Sequence, residues 1–246
     1  MIYRLFSLAG LMPVGAYLVV HLATNASVLG GPATFQAQVD RIHSLGILLP
    51  LVEWTFIFIP ILYHALVGWW IISGFLPNVS SYPYGSNIRY FFQRVTGMIA
   101  FFFILFHLWQ LHYLGKLAGG GAFDAEHAAS STAIALGPVY WKIVYVIGTL
   151  AVVYHFSNGL WTFGITWGIW TSDRAQRGAG YVCAAFGVLL AFVGMGALYG
   201  MSTVNVPQAE TIENRMEQTR EMSEGKIAAH AAGPTQSNNQ PPEKQN

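Results

Sequence analysis

Five apolar runs, each long enough for a helix to cross a bilayer, leave this chain few architectures. A hydrocarbon core of about 30 Å takes roughly 20 helical residues. The runs Leu5 to Val28, Pro50 to Phe75, Phe91 to Gly115, Tyr140 to Trp170 and Gly180 to Gly200 all reach that length. They are continuously apolar rather than alternating, which excludes a strand barrel. With 54% hydrophobic and only 9% charged residues, the composition is not that of an ordinary soluble domain. The first run is longer than the apolar part of a secretory leader and follows a single positive residue, Arg4, so it is read as a retained helix. The fold expected is an all-α membrane protein, a five-transmembrane-helix bundle over 1–200, followed by a polar tail over 201–246.

Charge distribution orients the bundle. With the N-terminus on the cytoplasmic side, Arg4, Arg89, Arg94, Arg174 and Arg177 lie inside and Arg41, Lys116 and Lys142 outside, the sense favoured by the positive-inside rule. Tyr140 and Trp141 at one end of the fourth run, and Trp167 and Trp170 at the other, read as interfacial aromatic belts. The net charge of +1 gives no reason to expect a nucleic-acid partner. Gly119 to Gly121 read as a flexible outer loop. The tail carries Glu210, Glu213, Arg215, Glu217, Arg220, Glu221, Glu224 and Lys226 on a stretch that can be helical. It then passes into the Gly, Pro and Asn composition of a disordered segment from Gly233, and the whole is expected to be a solvated appendage.

Four of the five runs carry a histidine at membrane depth, His21, His64, His107 and His155, and the third run carries His112 as well, near its end. An ionisable side chain at membrane depth is costly and marks a partner or a functional cavity, and neutral imidazole is a common ligand of haem iron. The single cysteine, Cys183, rules out a disulfide, a cysteine-held iron–sulfur site and covalent haem attachment, so any haem is held noncovalently. At about 1.5 Å per residue, His21 and His107 lie roughly 10–12 Å from the outer ends of their runs, and His64 and His155 roughly 21–22 Å. Two histidines share each level.

A repeat joins the same partners. Tyr63-His64 is followed by Gly68 and Trp70, and Tyr154-His155 by Gly159 and Trp161. A glycine four residues after a histidine lies on the same helix face, where its missing side chain admits a flat macrocycle. Two bis-histidine b haems at different depths fit both patterns. A metal-transporting helix bundle is the alternative from another class, although transport sites usually include acids and the membrane core here has almost none. His43, His112, His127 and His230 fall in loops, at a helix end or in the tail, and read as solvated residues.

The runs Met12-Pro13-Val14-Gly15 with His21-Leu22, Pro60-Ile61-Leu62-Tyr63-His64-Ala65, Gln93-Arg94-Val95-Thr96-Gly97 with His107-Leu108-Trp109, and His155-Phe156-Ser157-Asn158-Gly159-Leu160-Trp161 closely resemble the dihaem cytochrome b membrane anchor of bacterial succinate dehydrogenases and fumarate reductases. The resemblance spans Leu5 to Gly200 in order and spacing. It implies a multi-pass subunit of the bacterial cytoplasmic membrane with two haem b. It also implies flavoprotein and iron–sulfur partners on the cytoplasmic side, and electron transfer to a membrane quinone, usually menaquinone. Such a subunit has no dicarboxylate or flavin site of its own. Carried over, His64 and His155 ligate the proximal haem, near the partners, and His21 and His107 the distal one. Arg94 is placed to meet a propionate. The anchor of another respiratory oxidoreductase, such as a hydrogenase or formate dehydrogenase, remains the nearest alternative. Quinone reduction also needs protons, and Glu53 with Asp40, Arg41 and His43 forms the titratable group expected near the distal haem, with Glu53, His43 and Asp40 the candidate proton and quinone residues.

Overall fold

A computed structural model describes residues 2–74 and 78–231, and all regular structure among them is helical. Among the described residues, five helices are long and apolar enough to cross a membrane: Ile2–Gly30, Leu48–Ser73, Gly85–Leu111, Val139–Thr166 and Asp173–Ser202, here the first to fifth spans. The chain is therefore an all-α membrane protein with several spans. Phe75, the expected end of the second span, lies outside the described residues, as does the segment from Gly233.

Local chemistry moves several span ends from their expected places. The third span starts at Gly85 rather than Phe91, because Tyr84 is its extended N-cap, and stops at Leu111 rather than Gly115, because His112 turns to extended backbone. The glycines beyond it form a tight return rather than a flexible loop. Gly121 donates its N–H to the Trp109 carbonyl at 2.9 Å, and a Cβ on Gly115 or Gly120 would lie 1.9 Å from that same oxygen. The fourth span ends at Thr166 rather than Trp170. Gly168 then takes a left-handed φ of 71°, and Trp170 folds back to donate Nε1–H to the Trp161 carbonyl, so it packs on the span. The fifth span begins at Asp173 rather than Gly180, with Ser172 Oγ accepting from the Ala175 N–H.

The first two spans each contain a π-helical turn, Gly10–Gly15 and Trp54–Phe58. Pro13 lies inside the first, and Pro60 just after the second. Proline lacks the amide proton and crowds the carbonyl a turn before it, and a π turn accommodates both without breaking the helix. The two π turns touch each other, and the first also meets the fourth span. The first four spans surround a common interior, and the fifth packs outside them against the first and fourth.

One end of the bundle is capped. Helix Pro32–His43, helix Ala128–Ala135 and a tail helix, Val206–Ala231, pack together there. Phe35, Val39, Ala128, Ala129, Tyr145 and Ala209 share one core in this cap. The tail is thus docked rather than a solvated appendage. Its anchor is Glu213, which is fully buried and accepts hydrogen bonds from the N–H groups of Ala129 at 2.7 Å and Ser130 at 3.3 Å and from the Ser130 hydroxyl. Those amides open helix Ala128–Ala135, whose own N-cap residue His127 supplies no capping bond. A carboxylate from the tail fills that role, satisfying orphan donors and meeting the positive end of the helix dipole. Arg220 adds a pair with Asp40 at 3.1 Å and one with Glu126 at 3.6 Å.

Glu213→Ala should strand these donors at a cost of about 1–3 kcal/mol. Amide hydrogen exchange should then accelerate at Ala129 and Ser130, and limited proteolysis should cut within Val206–Ala231, while Glu213→Gln retains part of the protection. Unchanged exchange at both amides in Glu213→Ala would show that the apolar contacts alone hold the tail.

Candidate functional site

The four membrane histidines meet in pairs across the interior. His64 and His155 lie with ring centres 6.1 Å apart and planes crossed at 82°. His21 and His107 lie 5.7 Å apart and crossed at 80°. The pairs are the ones that share a level in the sequence. The first pair sits toward the uncapped, open end and the second toward the cap.

Each ring is held through Nδ1. At the open end, His64 Nδ1 is 2.9 Å from the carbonyl of Phe6, and His155 Nδ1 is 3.0 Å from the carbonyl of Gln93. A carbonyl only accepts, so both nitrogens carry a proton and both Nε2 atoms keep a lone pair. The Gln93 side-chain nitrogen also lies 3.3 Å from His155 Nδ1. Two donors cannot bond each other, so the carbonyl is the true partner. A glycine one turn beyond each carbonyl makes the approach possible. A Cβ on Gly10 would lie 2.5 Å from His64 Cε1, and one on Gly97 would lie 2.9 Å from His155 Cε1. Phe6 also stacks on His64 with ring centres 4.2 Å apart.

At the capped end the partners are phenols. His21 Nδ1 is 3.3 Å from Tyr17 Oη, and His107 Nδ1 is 3.2 Å from Tyr145 Oη. The His21 carbonyl accepts from Asn25 at 2.8 Å, which fixes the helix turn below the ring. All four rings are only half-buried, with an apolar lining that includes Phe103 beside His107.

The rings fit a bis-histidine iron. Metal–imidazole bonds are about 2 Å and the ring centre lies roughly 1 Å behind the bonding nitrogen, so two imidazoles on one metal stand about 6 Å apart, centre to centre. Both pairs match that spacing, and a hydrogen-bonded second nitrogen is the usual support of a ligating histidine. Among the described residues, no group of three or more His, Cys, Asp or Glu side chains is arranged to hold a metal ion.

The remaining candidates are distributed unevenly. Arg94 is half-buried near the start of the third span, with its guanidinium over the Tyr90 ring and NH1 donating to the Tyr90 carbonyl at 3.2 Å. Glu53 lies 3.8 Å from His112 Nε2, a residue that its place at a helix end made look solvated. His112 is half-buried against Phe58 and Tyr113, and that burial lowers its pKa from the ordinary imidazole value. Asp40 is committed elsewhere, to Gln36 at 2.8 Å and Arg220 at 3.1 Å. His43 is exposed at the end of its helix, and among the described residues the side-chain hydrogen bonds and ion pair of Asp40 go to Gln36 and Arg220 and the ion pair of Glu53 to His112. His127 bonds Asn214 at 2.9 Å, which raises its pKa. Of His230, only the helical backbone is described.

Several supporting residues carried no sequence signal of their own. Phe6 contributes a backbone oxygen, which any residue has. Gly10 and Gly97 act one turn from those oxygens on the partner helix, so their spacing to a histidine is invisible along the chain. Gly68 and Gly159 are less tightly placed, meeting Phe6 at 3.4 Å and Gln93 at 3.5 Å, ordinary contact distances for an added methyl. Gly97→Ala should therefore push His155 from its place and cost about 1–3 kcal/mol by overpacking, whereas Gly68→Ala should cost less than about 1 kcal/mol. Thermal denaturation of the purified proteins measures the difference, and equal stability would remove the close-approach role of Gly97.

Residues 81–204 match the succinate dehydrogenase/fumarate reductase transmembrane subunit family. The chain is also similar to the succinate dehydrogenase cytochrome b558 subunit of Bacillus subtilis (strain 168), 35% identical over 196 residues that cover 80% of this chain and 94% of the relative. Taken with the five spans and the two crossed histidine pairs, these matches mean that the chain belongs to the succinate dehydrogenase/fumarate reductase transmembrane subunit family.

Proposed function

We propose that this chain is the cytochrome b anchor of a succinate dehydrogenase, carrying two haem b and passing electrons from an iron–sulfur subunit to membrane quinone, with menaquinone as the expected acceptor. The observation that carries the reading is the pair of crossed imidazole couples, each at the spacing of two ligands on one metal. His64 and His155 would hold the proximal haem and His21 and His107 the distal one, with Arg94 set to meet a propionate. Haem iron so ligated supplies reversible one-electron chemistry. The protein supplies fixed rings, an apolar surround that excludes water, and helices that place two centres at different depths.

The open end carries Arg4, Arg174 and Arg177, and it is the face assigned to the cytoplasm and to the flavoprotein and iron–sulfur subunits. Arg174 and Arg177 are exposed, as a docking surface requires. The capped end then faces outward from the bacterial cytoplasmic membrane. Quinone reduction at that end would consume protons, and Glu53 with its neighbour His112, 3.8 Å away, would be the acid–base couple that delivers them. Asp40, locked to Arg220, is set aside for the cap, and His43 keeps only its position nearby.

Ligation is read from difference spectra of membranes holding the complex. His21→Ala and His107→Ala should each abolish the same b-type component, and His64→Ala and His155→Ala the other. If His21→Ala and His64→Ala removed one component in common, the pairing would be wrong.

Proton delivery has its own test. Glu53→Gln keeps size and hydrogen-bonding capacity but loses the acid, so succinate-to-quinone turnover should fall about 10²-fold or more. Electron transfer from succinate to an artificial acceptor at the soluble subunits should stay at the wild-type rate. Wild-type quinone turnover in both Glu53→Gln and His112→Ala would place the proton path elsewhere.

A further inference from the structure

The two histidine pairs differ in what stands behind them. Among the described residues, His155 is joined to a cation by a chain of hydrogen bonds. Arg89 donates Nε–H to Asn158 Oδ1 at 2.9 Å, Asn158 Nδ2 donates to Gln93 Oε1 at 2.7 Å, and Gln93 Nε2 donates to the His155 carbonyl at 3.1 Å. The His155 ring returns its Nδ1 proton to the Gln93 carbonyl. A guanidinium has no acceptor, so Arg89 forces the oxygen of Asn158 toward itself. Asn158 must then present its NH₂ to Gln93, and Gln93 its NH₂ to His155. The direction of every bond is set by the cation at one end.

The surroundings keep the relay in place. Arg89 stacks on Trp161 at 3.7 Å. Gly180 of the fifth span leaves space for it, since a Cβ there would lie 3.1 Å from its NH1. Asn158 is only 4% exposed, so both of its bonds are protein-internal, and an amide so buried is costly unless satisfied. The charge pattern of the sequence places Arg89 on the cytoplasmic side, but its bonds direct it inward.

We propose that Arg89, Asn158 and Gln93 are positioning residues for His155, which hold the backbone turn that carries its ring and make the haem it ligates easier to reduce. The proposal rests on the ligation reading above. Reduction adds negative charge at the iron, and a cation joined to the ligand through aligned amide dipoles favours the charged product in a low-dielectric interior. The phenols behind His21 and His107 have no hydrogen-bonded cation among the described residues, and the charge near Tyr17 is the Glu53 carboxylate, of opposite sign.

The test is a redox titration of the b-type bands in the intact membrane-bound complex. His155→Ala first identifies the component that depends on this ligand. Arg89→Gln, which keeps a donor but loses the charge, should leave both components present in normal amount. At a fixed ambient potential the reduced-to-oxidised ratio of the His155-dependent component should fall about tenfold, a downward shift of about 59 mV for one electron. The other component should not move, and Arg89→Lys should recover most of the shift. If Arg89→Gln does not accumulate, Gln93→Met decides, because it cuts the relay while leaving the cation. A downward shift confined to the same component supports the proposal. An unmoved potential, or an equal shift of both components, overturns the relay and leaves the ligation reading standing. If His155→Ala removes neither component, the ligation reading falls, and the relay falls with it.

Discussion

An imidazole that offers one nitrogen into an apolar interior must give the proton on its other nitrogen to something, and in this bundle that requirement governs how the helices approach. At the open end the acceptors are backbone carbonyls of neighbouring spans, Phe6 for His64 and Gln93 for His155. A backbone oxygen in a helix already accepts from the following turn, so a second donor reaches it only where the helix surface is bare. Gly10 and Gly97, one turn further on, provide that bare surface. The contact is backbone to ring, with no side chain to adjust, and it leaves His64 and His155 little freedom to tilt.

The capped end is built on a different principle. Tyr17 and Tyr145 reach the rings through flexible side chains, and a hydroxyl can donate or accept, so the tautomer is not dictated by the partner alone. Rigidity has to come from packing. Tyr145 belongs to the same buried cluster as Val39, Ala128, Ala129 and Ala209, so the cap helices and the docked tail stiffen the phenol that holds His107. Glu213 therefore acts at a distance on the capped-end histidine pair, by keeping helix Ala128–Ala135 formed and seated.

The spans, the pairing of the histidines and their relative depth were legible in the sequence, because hydrocarbon thickness and the cost of buried imidazole leave strong marks on composition. The span ends were less legible, since Tyr84, His112 and Gly168 act through backbone angles that hydropathy does not record. The docked tail was hidden by its polarity. Glu213 looks like a solvated acid until helix Ala128–Ala135 brings unsatisfied amides to it. Its neighbour Arg220 takes Asp40 into the cap, away from the proton-carrying role that proximity along the chain had implied. His112 shows the reverse error, as a residue at a helix end that the return of the chain sets beside Glu53.

The π turn in the first span makes sense of a likeness that sequence spacing obscures. The first and third spans carry the same device: a carbonyl acceptor, a glycine one turn later, and a capped-end histidine beyond it. In the third span Gly97 and His107 are 10 residues apart, 107 minus 97, and in the first Gly10 and His21 are 11 apart, 21 minus 10. One residue rotates an α-helix by about 100°, enough to turn His21 away from His107 if both helices were regular. A π turn holds one residue more than an α turn, and the one at Gly10–Gly15 lies between the glycine and the histidine. It absorbs the extra residue and returns His21 to the interior. Pro13, which resembles a helix defect when read alone, sits in the turn that makes the first span equivalent to the third. The two spans thus present matched pairs of groups to opposite sides of one interior, each steadying an open-end ring with its backbone and supplying a capped-end ring from its own side chain.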